Sequence, residues 1–202
     1  MSFLEALQKK KSDLKQTDTL VKTSAGDVFL ESHNAAGSIT LHKIDSDVGY
    51  IVDLKPDLQV AGVVPGLFMG SQDVTQDSDL LQEHGITHIL SVGVEVHKFP
   101  SVKYTILKAL DLPEFDMRPV FETAIKLIAD EIESGGRILV HCNAGVSRSA
   151  SIVIAFLMKR EKLCYKDAYF ALKNVRPCIK PNEGFVKQLK CLEQELFLNK
   201  ID

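Results

Sequence analysis

A chain of 202 residues can bury one sizeable core, but it is too short for a catalytic domain plus a separate regulatory domain of ordinary size. Hydrophobic residues at 45% and charged residues at 25% exclude a mainly disordered chain. The net charge of −3 excludes a bulk positive field for nucleic acid or anionic lipid, and the longest apolar run, Ile152 to Met158, has seven residues against the roughly 18 of a membrane span.

Glu5 interrupts the start before an apolar segment can build, and Ser2 stands where an acylation signal needs glycine. Neither a secretory leader nor a lipid anchor is therefore expected, and the cytoplasm, with access to the nucleus, is the expected location. The chain divides near residue 49. Residues 1–49 form an N-terminal extension rich in Lys, Ser, Thr and Asp, with Phe3, Leu4 and Leu7 on one face of a short helix and a strand at Val28 to Leu30. Gly26, Asn34, Gly37 and Gly49 punctuate it as turns, and Lys9 to Lys11 read as a solvated patch.

Residues 50–197 are denser and alternate strand with helix, leaving 198–202 as a tail. Leu58 to Val64 and Leu67 to Met69 predict strands around a turn at Pro65-Gly66, followed by a helix that Gly85 stops after His84. Thr87 to Val92 and Tyr104 to Leu107 predict buried strands. Pro119 to Glu133 has helical apolar spacing, with proline in its first turn and Gly135-Gly136 at its end. Arg137 to His141 is then a short apolar strand and Ser149 to Lys159 an apolar helix; helices at Tyr165–Val175 and Asn182–Phe197 complete the chain. The pattern predicts an α/β fold with a central, mainly parallel sheet flanked by helices. In such sheets ligands bind beyond the carboxyl ends of the strands.

The four cysteines, Cys142, Cys164, Cys178 and Cys191, form no C-x-x-C pair and have no histidine at zinc-finger spacing, so free thiols are expected. Cys164, Cys178 and Cys191 read as small buried hydrophobes. Cys142 differs because of its surroundings, His141-Cys142-Asn143-Ala144-Gly145-Val146-Ser147-Arg148-Ser149. Here a buried strand delivers a cysteine into a short loop, and an arginine opens an apolar helix. Five residues between Cys142 and Arg148 can wrap the backbone round a tetrahedral oxyanion with its N–H groups inward. The helix start adds free N–H groups and its positive dipole end. Gly145 supplies the conformational freedom of a tight loop, and Arg148 a planar fork for phosphoryl oxygens. The same donors favour Cys142 as thiolate, the strong nucleophile.

This segment resembles the H-C-x5-R-[S/T] signature of cysteine-dependent phosphatases, in the form typical of atypical dual-specificity protein phosphatases. Ala109 to Glu114 resembles the family's general-acid loop, and Val175-Arg176-Pro177 with Pro181 to Phe185 and Gln188-Leu189 resembles its closing segment. The resemblance spans about residues 50–197. It implies that Cys142 attacks phosphorus, that the amides of Asn143, Ala144, Gly145, Val146, Ser147 and Arg148 with the Arg148 guanidinium bind the phosphate, and that Asp111 is the general acid, with Glu114 and Asp116 as rivals. It implies further that Ser149 donates to the Cys142 sulfur, that His141 is a hydrogen-bonder behind the loop, and that Asn182 braces the loop. Arg176 reads either as a structural partner or as a phosphate contact.

His84 and His88 stand four residues apart, but Gly85 interrupts the helix between them, so a metal pair is not expected. The implied mechanism requires no metal or other cofactor. Positions 143–147 carry no Lys or Arg, which suits a protein phosphomonoester better than a more highly charged substrate. The expected partners are phosphoproteins, MAP kinases or their upstream kinases among them, with no nucleic acid and no membrane. The competing reading is a non-catalytic kinase-pathway scaffold or phosphoprotein-binding protein.

Overall fold

The computed structural model describes residues 56–198 and, nearer the N-terminus, three strands: β1 (Thr19–Lys22), β2 (Val28–His33) and β3 (Ile39–Lys43). The chain separates into two compact units, residues 1–54 and 55–202. In the first, β1, β2 and β3 form an antiparallel sheet in that order, with Leu20 opposite Leu30 and Glu31 opposite Leu41. Only the Val28–Leu30 strand was expected there. β1 (Thr-Leu-Val-Lys) does not alternate apolar and polar residues, and β3 does so only from Ile39 to His42, too short a run for a period to stand out. The helix expected around Phe3 to Leu7, the Lys9–Lys11 patch and the four turns lie outside the described residues.

The second unit holds a five-stranded sheet in the order β4-β5-β8-β6-β7, built from β4 (Ala61–Val64), β5 (Leu67–Gly70), β6 (His88–Val92), β7 (Lys103–Leu107) and β8 (Ile138–His141). The β4 edge is antiparallel to β5, across the Pro65-Gly66 turn, and the remaining pairs are parallel. The helices are α1 (Ser78–Glu83), α2 (Arg118–Glu133), α3 (Arg148–Arg160), α4 (Tyr165–Val175) and α5 (Glu183–Leu198). This is the predicted α/β architecture.

Strand periodicity divides the core between two faces. Leu67, Met69, Leu90, Val92, Ile138 and Val140 pack with buried residues of α2, α3, α4 and α5. The alternate residues Phe68, Ile89 and Leu139 pack with Val74, Leu81 and Ile86 around α1. Every residue of α3 from Ser149 to Met158 is buried, which explains its nearly unbroken apolar sequence. Truncating a central side chain such as Phe156 to alanine removes about 3–5 kcal/mol of stability.

One expected strand starts late. Residues 58–60 do not join β4, because this segment is held by other partners: Asp57 N–H donates to Asp73 (2.9 Å), Ser71 donates to Asp57 O (2.7 Å), and Gln59 O accepts from Arg176 (3.3 Å). Those contacts lie at the carboxyl end of the sheet, beside the loop that follows β8.

Candidate active site

The register that pairs β6 with β8 sets Ser91 beside His141. His141 is fully buried: Ser91 Oγ lies 2.7 Å from its Nε2, and its Nδ1 lies 3.1 Å from Cys142 O. Burial lowers its pKa to about 4; the hydrogen bond to Cys142 O works the other way, and the Arg148 charge adds to the lowering. At neutral pH His141 is therefore the uncharged tautomer that donates from Nδ1 and accepts from Ser91. It ties the strand end to the loop.

The loop's geometry follows from where its carbonyls go. Asn143 O accepts from Gln72 N–H (2.8 Å), and Val146 O from Lys180 N–H (2.9 Å). Gly145 O and Ala144 O accept from Arg176 Nε (2.9 Å) and Nη2 (3.1 Å). Ser147 O accepts from both the N–H (2.9 Å) and the Oγ (2.8 Å) of Ser151. Every carbonyl from Cys142 to Ser147 thus has a partner outside the loop. In a trans peptide the N–H points opposite to the C=O, so the amides of residues 143–148 turn inward together. The result is an anion nest over Cys142. Gly145, at φ +62°, permits the tightest approach, since a Cβ there would meet Gly70 O and Arg176.

Cys142 lies at the floor of this nest, only 2% exposed, and Ser149 Oγ donates to its sulfur at 3.2 Å. No side chain caps α3, so the helix's first amides remain available to the same centre. Arg148 Nη1 is held by the carbonyls of Val92 (3.2 Å), Gly93 (3.2 Å) and Ala109 (3.5 Å). Its Nε is the one buried side-chain nitrogen or oxygen without a hydrogen-bond partner among the described residues. Such an orphan donor costs free energy unless something accepts from it, and an oxyanion in the nest would do so. Gly93, at φ +72°, is required here, because a Cβ would collide with Ala109 O and the Arg148 guanidinium.

Asp111 sits at the mouth. Its Oδ1 accepts from Ser147 Oγ (2.7 Å) and Asn182 Nδ2 (2.8 Å), and its Oδ2 lies 3.8 Å from Arg148 Nε. Glu114 is exposed, and Asp116 is turned onto Arg118 by bonds of 2.9 and 3.0 Å. Those bonds lower the Asp116 pKa, which makes it a poor proton donor. The 109–117 loop is clamped by Gln188, which donates to Phe115 O (2.8 Å) and accepts from Met117 N–H (2.7 Å). Gly184 allows Pro113 to pack directly on the start of α5.

The contacts of two further residues define what each does. The Asn182 side chain reaches the phosphate loop only through Asp111, and its Oδ1 caps Phe185 N–H (2.9 Å); only its backbone N–H touches the loop, at Ser147 Oγ (3.2 Å). Arg176 is fully buried behind the loop, also paired with Asp57, and so is a structural partner. The three other cysteines are not buried. Cys164 is half-buried and caps α4 by accepting from Asp167 N–H (3.4 Å), while Cys178 and Cys191 are exposed on a loop and on α5. His88 bonds Glu131 (3.0 Å) and Thr105 (2.9 Å), and His84 ends α1. Among the described residues no cluster of three His, Cys, Asp or Glu could hold a metal ion.

The family description "Dual specificity phosphatase, catalytic domain" matches residues 67–195. The chain belongs to the dual-specificity phosphatase family. Mouse dual specificity protein phosphatase 19 is 38% identical over 188 residues, which cover 89% of this chain and 84% of that protein. The Dictyostelium discoideum "MAP kinase phosphatase with leucine-rich repeats protein 3" is 40% identical over 142 residues, 69% of this chain but 16% of that protein. A solved mouse putative dual specificity phosphatase complexed with zinc tungstate superposes with a TM-score of 0.67 at 30% identity, covering 75% of this chain and 96% of the other. As a member of this family the chain is a protein phosphatase.

Proposed function

We propose that the chain hydrolyses phosphotyrosine and phosphoserine or phosphothreonine in proteins through a cysteinyl-phosphate intermediate at Cys142. The observation that carries this reading is the outward turn of all six loop carbonyls above one buried cysteine. In the first step the Cys142 thiolate attacks phosphorus, the P–O bond to the substrate breaks, and Asp111 protonates the leaving oxygen. The amides of residues 143–148 and the Arg148 guanidinium hold the equatorial oxygens as charge shifts in the transition state. In the second step Asp111 takes a proton from water, whose oxygen attacks phosphorus. The S–P bond then breaks, with Ser149 donating to the departing sulfur from 3.2 Å.

Cytoplasmic and nuclear MAP kinases, or the kinases that activate them, are the proposed substrates; a relative named as a MAP kinase phosphatase supports this. The test is turnover of p-nitrophenyl phosphate by reduced protein in the presence of chelator, beside Cys142→Ser. Turnover by the parent, its loss in the variant and retained inorganic phosphate binding are expected. An inactive parent that still captures phosphoproteins would instead support the scaffold, and equal turnover by the two would end the mechanism.

A further inference from the structure

A cleft of about 480 Å³ opens beside the phosphate seat, lined by the loop after β6 (Gly93, Val94, Glu95) and by Ile106, Leu110 and Phe115. Its walls are mostly apolar, with Glu95 and Lys108 exposed at its rim. Leu110 is 59% exposed and Ile106 37%, large apolar side chains that nothing described covers. Single exposed apolar residues are ordinary, but these share one concavity. The cleft also runs into the seat itself. Gly93 and Ala109 line it and hold Arg148 through their carbonyls, and Leu110 immediately precedes Asp111.

That continuity names the occupant. A phosphorylated side chain in the nest brings its own backbone to the mouth beside Asp111 and Leu110. An extended chain advances about 3.3 Å per residue, so the cleft falls within roughly one to three residues of the phosphorylated position. We propose that it seats an apolar side chain of the phosphoprotein substrate and so sets sequence preference around the phosphorylated residue. This rests on the phosphatase reading of the adjoining seat. The site would thus read two features together: a dianion held by the nest, and a neighbouring Leu-, Ile- or Phe-type side chain desolvated between Val94, Ile106, Leu110 and Phe115.

The decisive measurement is binding, so that it does not depend on turnover. Full-length Cys142→Ser protein is titrated with paired phosphotyrosine peptides, identical except for leucine or serine at each position from −3 to +3. At one position or more leucine should tighten binding about tenfold, the scale of one apolar side chain in a fitted pocket. Ile106→Ser and Leu110→Ser in the same background should reduce that ratio to about twofold and leave inorganic phosphate affinity unchanged. Ile106 lies exposed on an edge strand, so its replacement tests the cleft without disturbing the core. Leucine that gains nothing over serine at any position, or a preference that survives both substitutions, overturns the proposal. Self-association abolished by Ile106→Ser, with no leucine preference, assigns the cleft to a second copy and overturns it equally. Parent turnover of p-nitrophenyl phosphate separates the two readings: an active parent without leucine preference sinks the cleft alone, whereas an inactive parent with leucine-dependent binding sinks the phosphatase alone.

Discussion

Asp111 is the residue on which the assignment of chemistry turns, because three carboxylates share one loop. Sequence spacing leaves Glu114 and Asp116 open; the structure separates them by what each touches. Asp116 is engaged by Arg118, while Asp111 is drawn toward the seat by Ser147 and Asn182, residues 36 and 71 positions away. Those partners were invisible to spacing because they come from two other segments of the chain. Leaving-group chemistry tests the role. Losing a proton donor hurts in proportion to the basicity of the departing oxygen, and general acid catalysis contributes about 10²–10⁴-fold. Asp111→Asn should approach that loss on a phosphothreonine peptide, lose less on phosphotyrosine and least on p-nitrophenyl phosphate. A merely structural aspartate would lower the melting temperature and reduce all three activities by a similar factor. Steady-state kinetics on the three substrates, with a melting curve, decide between them.

At the scale of elements, the phosphate loop was legible from sequence and its support only in part. The run from His141 to Ser149 carries its own signal: an apolar strand, small residues, glycine, arginine, an apolar helix. α4 likewise falls on Tyr165–Val175, the range expected from the sequence. For Arg176 the sequence left two roles open, since its partners are backbone carbonyls 31 and 32 residues away and a segment 117–119 residues away. It acts by orientation: gripping the carbonyls of Ala144 and Gly145 fixes the inward N–H groups of residues 145 and 146. Hydrogen bonds to a charged group contribute about 1.5–3 kcal/mol each. Arg176→Lys keeps the charge but loses the fork, so it should weaken phosphate binding to the Cys142→Ser form about tenfold or more. Binding to folded protein separates positioning from stability, because a purely structural arginine would shift the melting temperature and leave that affinity unchanged. The Asp57→Asn change, which leaves the carbonyl contacts in place, should produce a smaller loss in the same titration.

For the whole molecule, alternating strands and helices fixed the α/β class before any contact was known, because the 2.0 and 3.6 periods are local properties. What periodicity could not disclose is which polar groups the fold buries and how their titration bears on its stability. His141 is the clearest case. In the folded protein its pKa lies near 4 because burial penalises the charged ring; in an unfolded chain it returns to about 6.5. Between those values the unfolded chain binds a proton that the folded one refuses, so stability rises with pH across that window. The contribution is fully present above pH 6.5 and is lost as the pH falls toward 4, about 3 kcal/mol in all, against a typical total of about 5–15 kcal/mol. Glu131 follows at more acid pH. Burial alone would raise its pKa, but hydrogen bonds from His88 and Thr87 and the nearby charges of His88 and Lys103 lower it overall. Its contribution is present above about 4.5 and is lost as the pH falls below that value, so its window begins where that of His141 is ending. Urea unfolding from pH 7 to pH 4 should show the parent losing about 3 kcal/mol more than His141→Asn across the upper window. Ring-proton NMR of the parent provides the direct check, with His141 still neutral at pH 5.5 while an exposed histidine is largely charged. Parallel stability curves, together with a His141 ring that titrates near 6.5, would remove the buried neutral imidazole from the account of how the loop is held.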